Sequence, residues 1–242
     1  MSKSNAPASV AEQIRRLRQL GWAVCDTPGY TLTDTLLRFQ HASVTPEGKR
    51  LTVDGEYGPQ TQSALFDVYA PSLAEKLPQR VLVVAASQVG VSEVPVGSNA
   101  GPQIDMVLSS VGLGRGYPWC AAFVYWCFGQ ASRQLGVKNP CPKTAGVLNL
   151  WDLAGYRSTG LRRITAAQAQ ANPALVKPGM QFLLKLGSTS GHTGLVERVG
   201  AGGQLITLEG NTNQALSREG TGVFRLSRRT VKSVNLGFIE YA

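Results

Sequence analysis

The pattern of apolar positions changes along the chain, from a helical period in the first part to strand-like runs in the last. Val10, Ile14, Leu17 and Leu20 recur at helical spacing and Gly21 ends the run, so residues 9 to 20 read as an amphipathic helix. Thr33-Asp34 can cap a second helix that carries Leu36, Leu37 and Phe39. A turn over Thr45 to Lys49 follows. Asp54-Gly55 and Gly58-Pro59 then mark two tight turns, and Pro59 suits the first position of a third helix. Residues 80 to 90, rich in Val and Ala and closed by Gly90, predict a fourth helix. Pro102 to Ser110 predicts a fifth, with Ile104, Val107 and Leu108 inward. A Gly116-Tyr117-Pro118 turn opens a long apolar run from Cys120 to about Leu135, and Leu148, Leu150 and Trp151 mark a further helix. After Pro178-Gly179 the pattern becomes strand-like: Met180 to Leu186, Gly191 to Val199, Gln204 to Gly210, Gly222 to Leu226 and Val234 to Tyr241. Helices first and a strand meander afterwards predict an α+β chain. A small all-α domain of three helices comes first, and then an α+β domain with a mainly antiparallel sheet.

Residues 71–79 contain Pro71 and Pro78 and read as a short, semi-rigid linker. The expected organisation is a disordered terminus over 1–8, a helical domain over 9–70, the linker over 71–79 and the larger domain over 80–242. No internal repeat and no low-complexity segment stands out. No stretch approaches the ~20 apolar residues that a membrane-spanning helix requires. Met1 to Pro7 has no apolar core after its lysine, so no secretory signal peptide is expected.

Composition narrows the field only a little. Hydrophobic residues make up 43% of the 242, which suits a globular protein with a real core. The net charge is +9, from 24 Lys and Arg against 15 Asp and Glu. Such a balance favours polyanions, whether nucleic acid, anionic lipid or acidic wall polymers. The small basic clusters, at Arg15-Arg16-Leu17-Arg18, Arg162-Arg163 and Arg228-Arg229, read as scattered solvated charge, and no nucleic-acid-binding motif accompanies them. Four cysteines (Cys25, Cys120, Cys127, Cys141) form no CxxC pair, and only two histidines occur, which argues against a structural zinc site. So few cysteines suit a reducing compartment, with a Cys127–Cys141 pair left open.

Cys120 sits where the turn meets the apolar helix. In a first helical turn, the unpaired N–H groups and the positive dipole end stabilise a thiolate. A small core cysteine is the plain alternative. A nucleophile needs a base, and the base needs an orienting group. His41 reads as a surface residue of the second helix, which leaves His192, between Gly191 and Gly194 at the head of a strand. A histidine at a β-turn is its plain alternative. In Gln204 to Asn211 the alternation places Leu205, Thr207, Glu209 and Asn211 on one face. The turn between the two strands would bring Glu209 beside His192, to accept its N–H and fix its tautomer. Asn211 would do the same without charge, or hold substrate.

Two resemblances follow. Asp54-Gly55-x-Tyr57-Gly58-Pro59-x-Thr61-x-x-Ala64, after a Leu-x-x-Phe-Gln helix, resembles the three-helix type of peptidoglycan-binding domain over roughly residues 9 to 70. Tyr117 to Val124, Gly191-His192-Thr193-Gly194-Leu195-Val196 and Thr207-Leu208-Glu209-Gly210-Asn211-Thr212 resemble, in order, the CHAP family of cysteine peptidoglycan amidohydrolases, within the papain-like superfamily. Gln88-Val89-Gly90-Val91 with Glu93, and Ser217 to Gly220, are similar to it as well. The resemblance implies Cys120 as nucleophile, His192 as base, Glu209 as its orienting group and Asn211 as a fourth site residue. Tyr117, Trp119 and Trp126 are candidates to line the substrate groove, with core packing as the equal alternative, and Asp54 and Tyr57 are expected to contact substrate in the helical domain. Cys127, two helical turns past Cys120, is expected to pack in the core. Some members of the family bind calcium through acidic residues just before the cysteine. Here Ser109 to Trp119 holds none and Asp105 stands alone, so no metal and no cofactor is expected.

The function so implied is a peptidoglycan hydrolase that cuts an amide bond of the stem peptide, anchored by its N-terminal domain. A catalytically dead wall-binding protein and an acyltransferase using the same triad are the alternatives. The expected partner is peptidoglycan, with an immunity protein if the chain is an injected antibacterial effector rather than a phage endolysin. No nucleic acid and no membrane span is expected, and the chain is expected to be a monomer. Without a signal peptide it would be made in the cytoplasm and act in the periplasm or wall after release or delivery.

Overall fold

The computed structural model describes residues 7–67, 75–213 and 220–241. The expected disorder of residues 1–8 and the Ser217 to Glu219 part of one motif fall mostly outside them, as do residues 71–74 of the expected linker. Three helices come first: α1 (Val10–Gln19), α2 (Leu32–Ala42) and α3 (Pro59–Phe66). Ser9 caps α1 in a reciprocal box with Glu12, and Thr31 caps α2 with Asp34. The second cap thus lies two residues before Thr33, because Asp34 serves as the third residue of the box rather than as the cap. Gly58-Pro59 opens α3 as expected.

The Asp54-Gly55 turn is held from α2. Gln40 accepts the amides of Asp54 and Gly55 through Oε1, at 3.1 and 2.8 Å. Its Nε2 donates to Asp54 Oδ1 (2.8 Å) and to the Glu56 carbonyl (2.9 Å). The Phe-Gln and Asp-Gly halves of the N-terminal motif therefore meet in one buried amide.

Helix α4 (Leu77–Ala86) starts three residues before the expected position, because Pro78 fits its first turn, and α5 (Pro102–Ser110) follows. Helix α6 (Cys120–Gln134) and α7 (Val147–Leu153) lead to the sheet. Strand β1 (Arg162–Thr165) and helix α8 (Ala166–Ala171) were not foreseen: β1 buries only Ile164, and α8 has no apolar stripe. Strands β2 (Gln181–Lys185), β3 (Gly191–Val199), β4 (Gln204–Thr212), β5 (Gly222–Thr230) and β6 (Gly237–Glu240) complete a six-stranded sheet. Its order is β1-β6-β2-β3-β4-β5, and the neighbours are antiparallel throughout.

Alternation along β4 sorts the sheet's two faces. Leu195, Leu208 and Gly210 turn towards α6, and a Cβ on Gly210 would lie 2.7 Å from both the Phe123 and Trp119 rings. Phe182, Leu184, Val196, Leu205 and Phe238 build a second core on the other side.

The helical unit is not a tethered module. Leu17, Trp22, Phe39 and Leu65 share one hydrophobic cluster with Val81, Ile104 and Trp126. Trp22, fully buried, meets Phe39 and Trp126 edge-on, at 5.7 and 5.2 Å between ring centroids. Its indole donates to Gln130 Oε1 (3.2 Å), Gln103 accepts the Ala23 amide (3.0 Å), and the Trp126 indole donates to the Gly21 carbonyl (3.2 Å).

Candidate active site

The local sequence places the sulfur at a helix end. Cys120 is the first residue of α6, and no side chain caps that end. Its thiol lies within hydrogen-bonding reach of the His192 ring. His192 stands near the start of β3, where Gly191 passes so close to Val147 and the Leu184 carbonyl that a side chain would not fit. His192 Nε2 donates to Glu209 Oε2 at 2.7 Å, which leaves Nδ1 for the thiol. Glu209 has no exposed surface. Gly194 is what lets it approach: a Cβ there would sit 2.8 Å from Glu209 Cγ.

Glu209 is held by two further residues. Arg229 grips it with both arms of its fork, Nε to Oε1 at 2.6 Å and Nη2 to Oε2 at 2.7 Å. Thr207 Oγ1 donates to Oε1 at 2.5 Å. Burial works to raise the Glu209 pKa, but the hydrogen bonds and charges of Arg229 and His192 outweigh it and hold the carboxyl at about 2. Burial likewise works to lower His192. Hydrogen bonds to Cys120 and Glu209, with their charges, prevail and raise it to about 9. Both shifts favour the charged forms, an imidazolium facing a carboxylate.

A cleft of about 230 Å³ opens over Cys120, His192 and Asn211, walled by Tyr117, Pro118, Val147 and Ser190. Asn211 departs from the regular alternation. The β4–β5 register shifts between Glu209 and Thr212, and Asn211 takes φ +54°, a left-handed conformation that Asn tolerates. Its Nδ2 donates to Asn99 Oδ1 at 2.8 Å, so the 97–101 loop braces the cleft wall.

Several expected positions differ. Trp119 does not line the groove. It is fully buried, and its indole donates to Glu93 Oε1 at 3.0 Å, because it faces inward as the residue before α6. Trp126 is buried in the joint with the helical unit instead. Tyr117 is exposed and does border the cleft. Asp54 is exposed, with Oδ1 taken by the turn at Gln40 and Glu56, and Tyr57 packs half-buried against the core. His41 is exposed on α2. Cys127 and Cys141 are both free, buried thiols. Burial pushes Cys127 well above its ordinary range and Cys141 up to about 12. Asp105 is committed to Arg115 at 2.6 Å.

Arg229 is the residue that sequence reasoning missed. As part of Arg228-Arg229 it reads as solvated charge, yet it is 8% exposed and lies 4.9 Å from the Phe182 ring centroid. The available signal was an arginine in strand register with the carboxylate strand: Arg229 stands opposite Leu205 on β4.

A cysteine at a helix start, a histidine at a strand head and a buried carboxylate behind it are the groups, in the order, that nucleophilic cysteine chemistry calls for. Residues 112–211 match the family model of the CHAP domain. The matched span contains Cys120, His192, Glu209 and Asn211 and ends before Arg229. A CHAP domain indicates peptidoglycan hydrolase or amidase-type activity in general. No curated protein and no solved structure matches the chain. Among the described residues no helix is long and apolar enough to cross a membrane.

Proposed function

We propose that the chain hydrolyses an amide bond of the peptidoglycan stem peptide, as an N-acetylmuramoyl-L-alanine amidase or a peptide endopeptidase. The observation that carries this reading is the line Cys120–His192–Glu209 opening into a cleft. The Cys120 thiolate, paired with the His192 imidazolium, attacks the scissile carbonyl carbon. Backbone N–H groups at the start of α6 donate to the developing oxyanion. His192 gives its proton to the leaving amine as the C–N bond breaks, then takes one from the water that attacks the thioester, which releases the acyl group as a free acid and restores the thiolate–imidazolium pair. Glu209 keeps the ring in plane throughout. The helical unit, by its Asp54 to Ala64 motif, docks on the wall and keeps the cleft near an insoluble substrate. Asp54 and Tyr57 contribute to that docking, and Tyr117 and Asn211 contact substrate in the cleft. Release as a bacteriolytic endolysin, or injection as an effector with its own immunity protein, brings the chain to the wall.

The test is release of soluble fragments from purified peptidoglycan by the wild type and by Cys120→Ala, with mass spectrometry of the products. Wild-type release with a new free carboxyl, abolished in the variant, supports the reading. Undiminished release by Cys120→Ala overturns it, and an acceptor amine on the acyl group would identify a transferase.

A further inference from the structure

The mechanism above gives Glu209 one duty towards His192, yet both oxygens of that carboxylate are also claimed by Arg229. We propose that Arg229 is a positioning residue that sets the acid–base behaviour of His192 by fixing the Glu209 carboxylate and offsetting its charge. The inference rests on Cys120 and His192 being nucleophile and base.

The geometry distinguishes this from an incidental ion pair. Oε2 of Glu209 is shared by Arg229 Nη2 and His192 Nε2, both at 2.7 Å, so cation and imidazole compete for one oxygen. Without Arg229 the carboxylate would keep one bond per oxygen, from His192 to Oε2 and from Thr207 to Oε1, and some freedom to tilt. The two-armed grip of a guanidinium removes that freedom, which a lysine cannot reproduce. The Phe182 ring serves both partners, with the Arg229 guanidinium 4.9 Å and the His192 ring 6.1 Å from its centroid. Arg229 and Glu209 are both buried, so little water screens them.

The groups facing the carboxylate come from each neighbouring element: Thr207 on its own strand, His192 on β3 and Arg229 on β5, with Cys120 of α6 beyond the imidazole. Alone, a buried carboxylate would hold the imidazolium so firmly that the ring became a poor proton donor to the leaving amine. With Arg229 in place, Glu209 acts as an oriented acceptor whose charge is largely offset, and the His192 proton stays transferable.

The test uses Arg229→Gln and Arg229→Lys in the full chain, with two readouts that need no substrate. One is the NMR titration of His192. The other is the pH dependence of iodoacetamide alkylation at Cys120, mapped by mass spectrometry. Loss of the charge in Arg229→Gln should move the His192 titration up by about one pH unit. Arg229→Lys keeps the charge and loses the fork, so the titration should stay in place while kcat/KM for wall release falls about tenfold. A folded Arg229→Gln whose His192 titrates with the wild type overturns the proposal. If Arg229→Gln does not fold, Arg229→Lys decides: wild-type wall release by that variant overturns it. Should the wild type release nothing from peptidoglycan, the wall reading fails. The titration and alkylation arms would still decide the role of Arg229.

Discussion

Gly194 is the position where the smallest change should reach the site. It lies on β3 opposite Phe182 of β2. A Cβ built there meets Glu209 Cγ and the Leu208 carbonyl oxygen at 2.8 Å, and Phe182 Cε1 at 2.9 Å. All three are closer than carbon tolerates, and none gives way freely. The carbonyl belongs to the paired β4 backbone, Phe182 is fully buried, and Glu209 is held by Arg229, Thr207 and His192. Gly194→Ala is therefore an overpacking change, costing about 1–3 kcal/mol. At about 2–4 °C per kcal/mol for a chain of this size, Tm should fall by about 2–12 °C. The larger consequence is chemical. Of the three contacts, the Glu209 side chain is the one that can move, and moving it draws Oε2 away from His192. A misplacement near 1 Å in a catalytic array costs about 10²-fold in rate, so wall release should fall by that order and the His192 titration should shift down. Circular dichroism melting, NMR titration of His192 and fragment release measure the three effects. Gly200→Ala, at a turn glycine whose nearest neighbour is 3.6 Å away, is the control. A Gly194→Ala protein with the Tm, titration and activity of the wild type would refute the spacing argument.

Two further outcomes are expected. Stability should depend on pH at both ends. His192 rises from 6.5 to about 9 on folding, so its contribution is complete below 6.5 and is lost as pH climbs through 9. Glu209 falls from 4.5 to about 2, so its contribution is complete above 4.5 and is lost as pH drops through 2. Melting curves against pH should show both limbs, and Cys120→Ala should bring the alkaline one to lower pH; an unmoved alkaline limb would contradict the Cys120–His192 contact. Trp22→Ala, which empties a fully buried site between the units, should cost about 3–5 kcal/mol. Calorimetry of the wild type should give a single transition, and a separate melting of the helical unit would contradict the shared core.

The parts of the fold legible in the sequence were those with local chemistry. Capping residues, Pro59 at a helix start and the glycines that end helices fix α1 to α7 through groups a few residues apart. The strands β2 to β4 carry apolar runs long enough to be read. Strand β1 could not be read, because one inward residue, Ile164, makes no alternation, and β5 runs beyond Leu226 through Ser227, Arg228 and Arg229, which look like a loop. The site divides the same way. Cys120, His192 and Glu209 are recognisable because each belongs to a local motif. Arg229 has none: its meaning comes from pairing across β4 and β5, and a buried arginine is written with the same letter as a solvated one. Trp119 shows the reverse error. An aromatic beside Cys120 suggests a groove wall, but its orientation depends on Glu93, 26 residues earlier, which sequence spacing does not connect to it.

The joint between the units changes what docking by the helical unit would do. A flexible tether raises the local concentration of a catalytic domain and lets it sample a volume of wall. Here Trp22 is locked between Phe39 and Trp126, and Gln103 and Gln130 pair with the backbone and indole of the first unit. The Asp54 turn and the Cys120 cleft are thus held at one mutual orientation by a continuous core, whatever the segment between α3 and α4 does. A rigid mount gives up search volume and gains orientation. On the proposed function, a wall strand held by the helical unit would meet the cleft from one direction, and only stem peptides presented at that angle would reach the sulfur. Loosening the joint should therefore harm cleavage of intact, cross-linked wall more than cleavage of small soluble fragments, which need no docking to find the cleft.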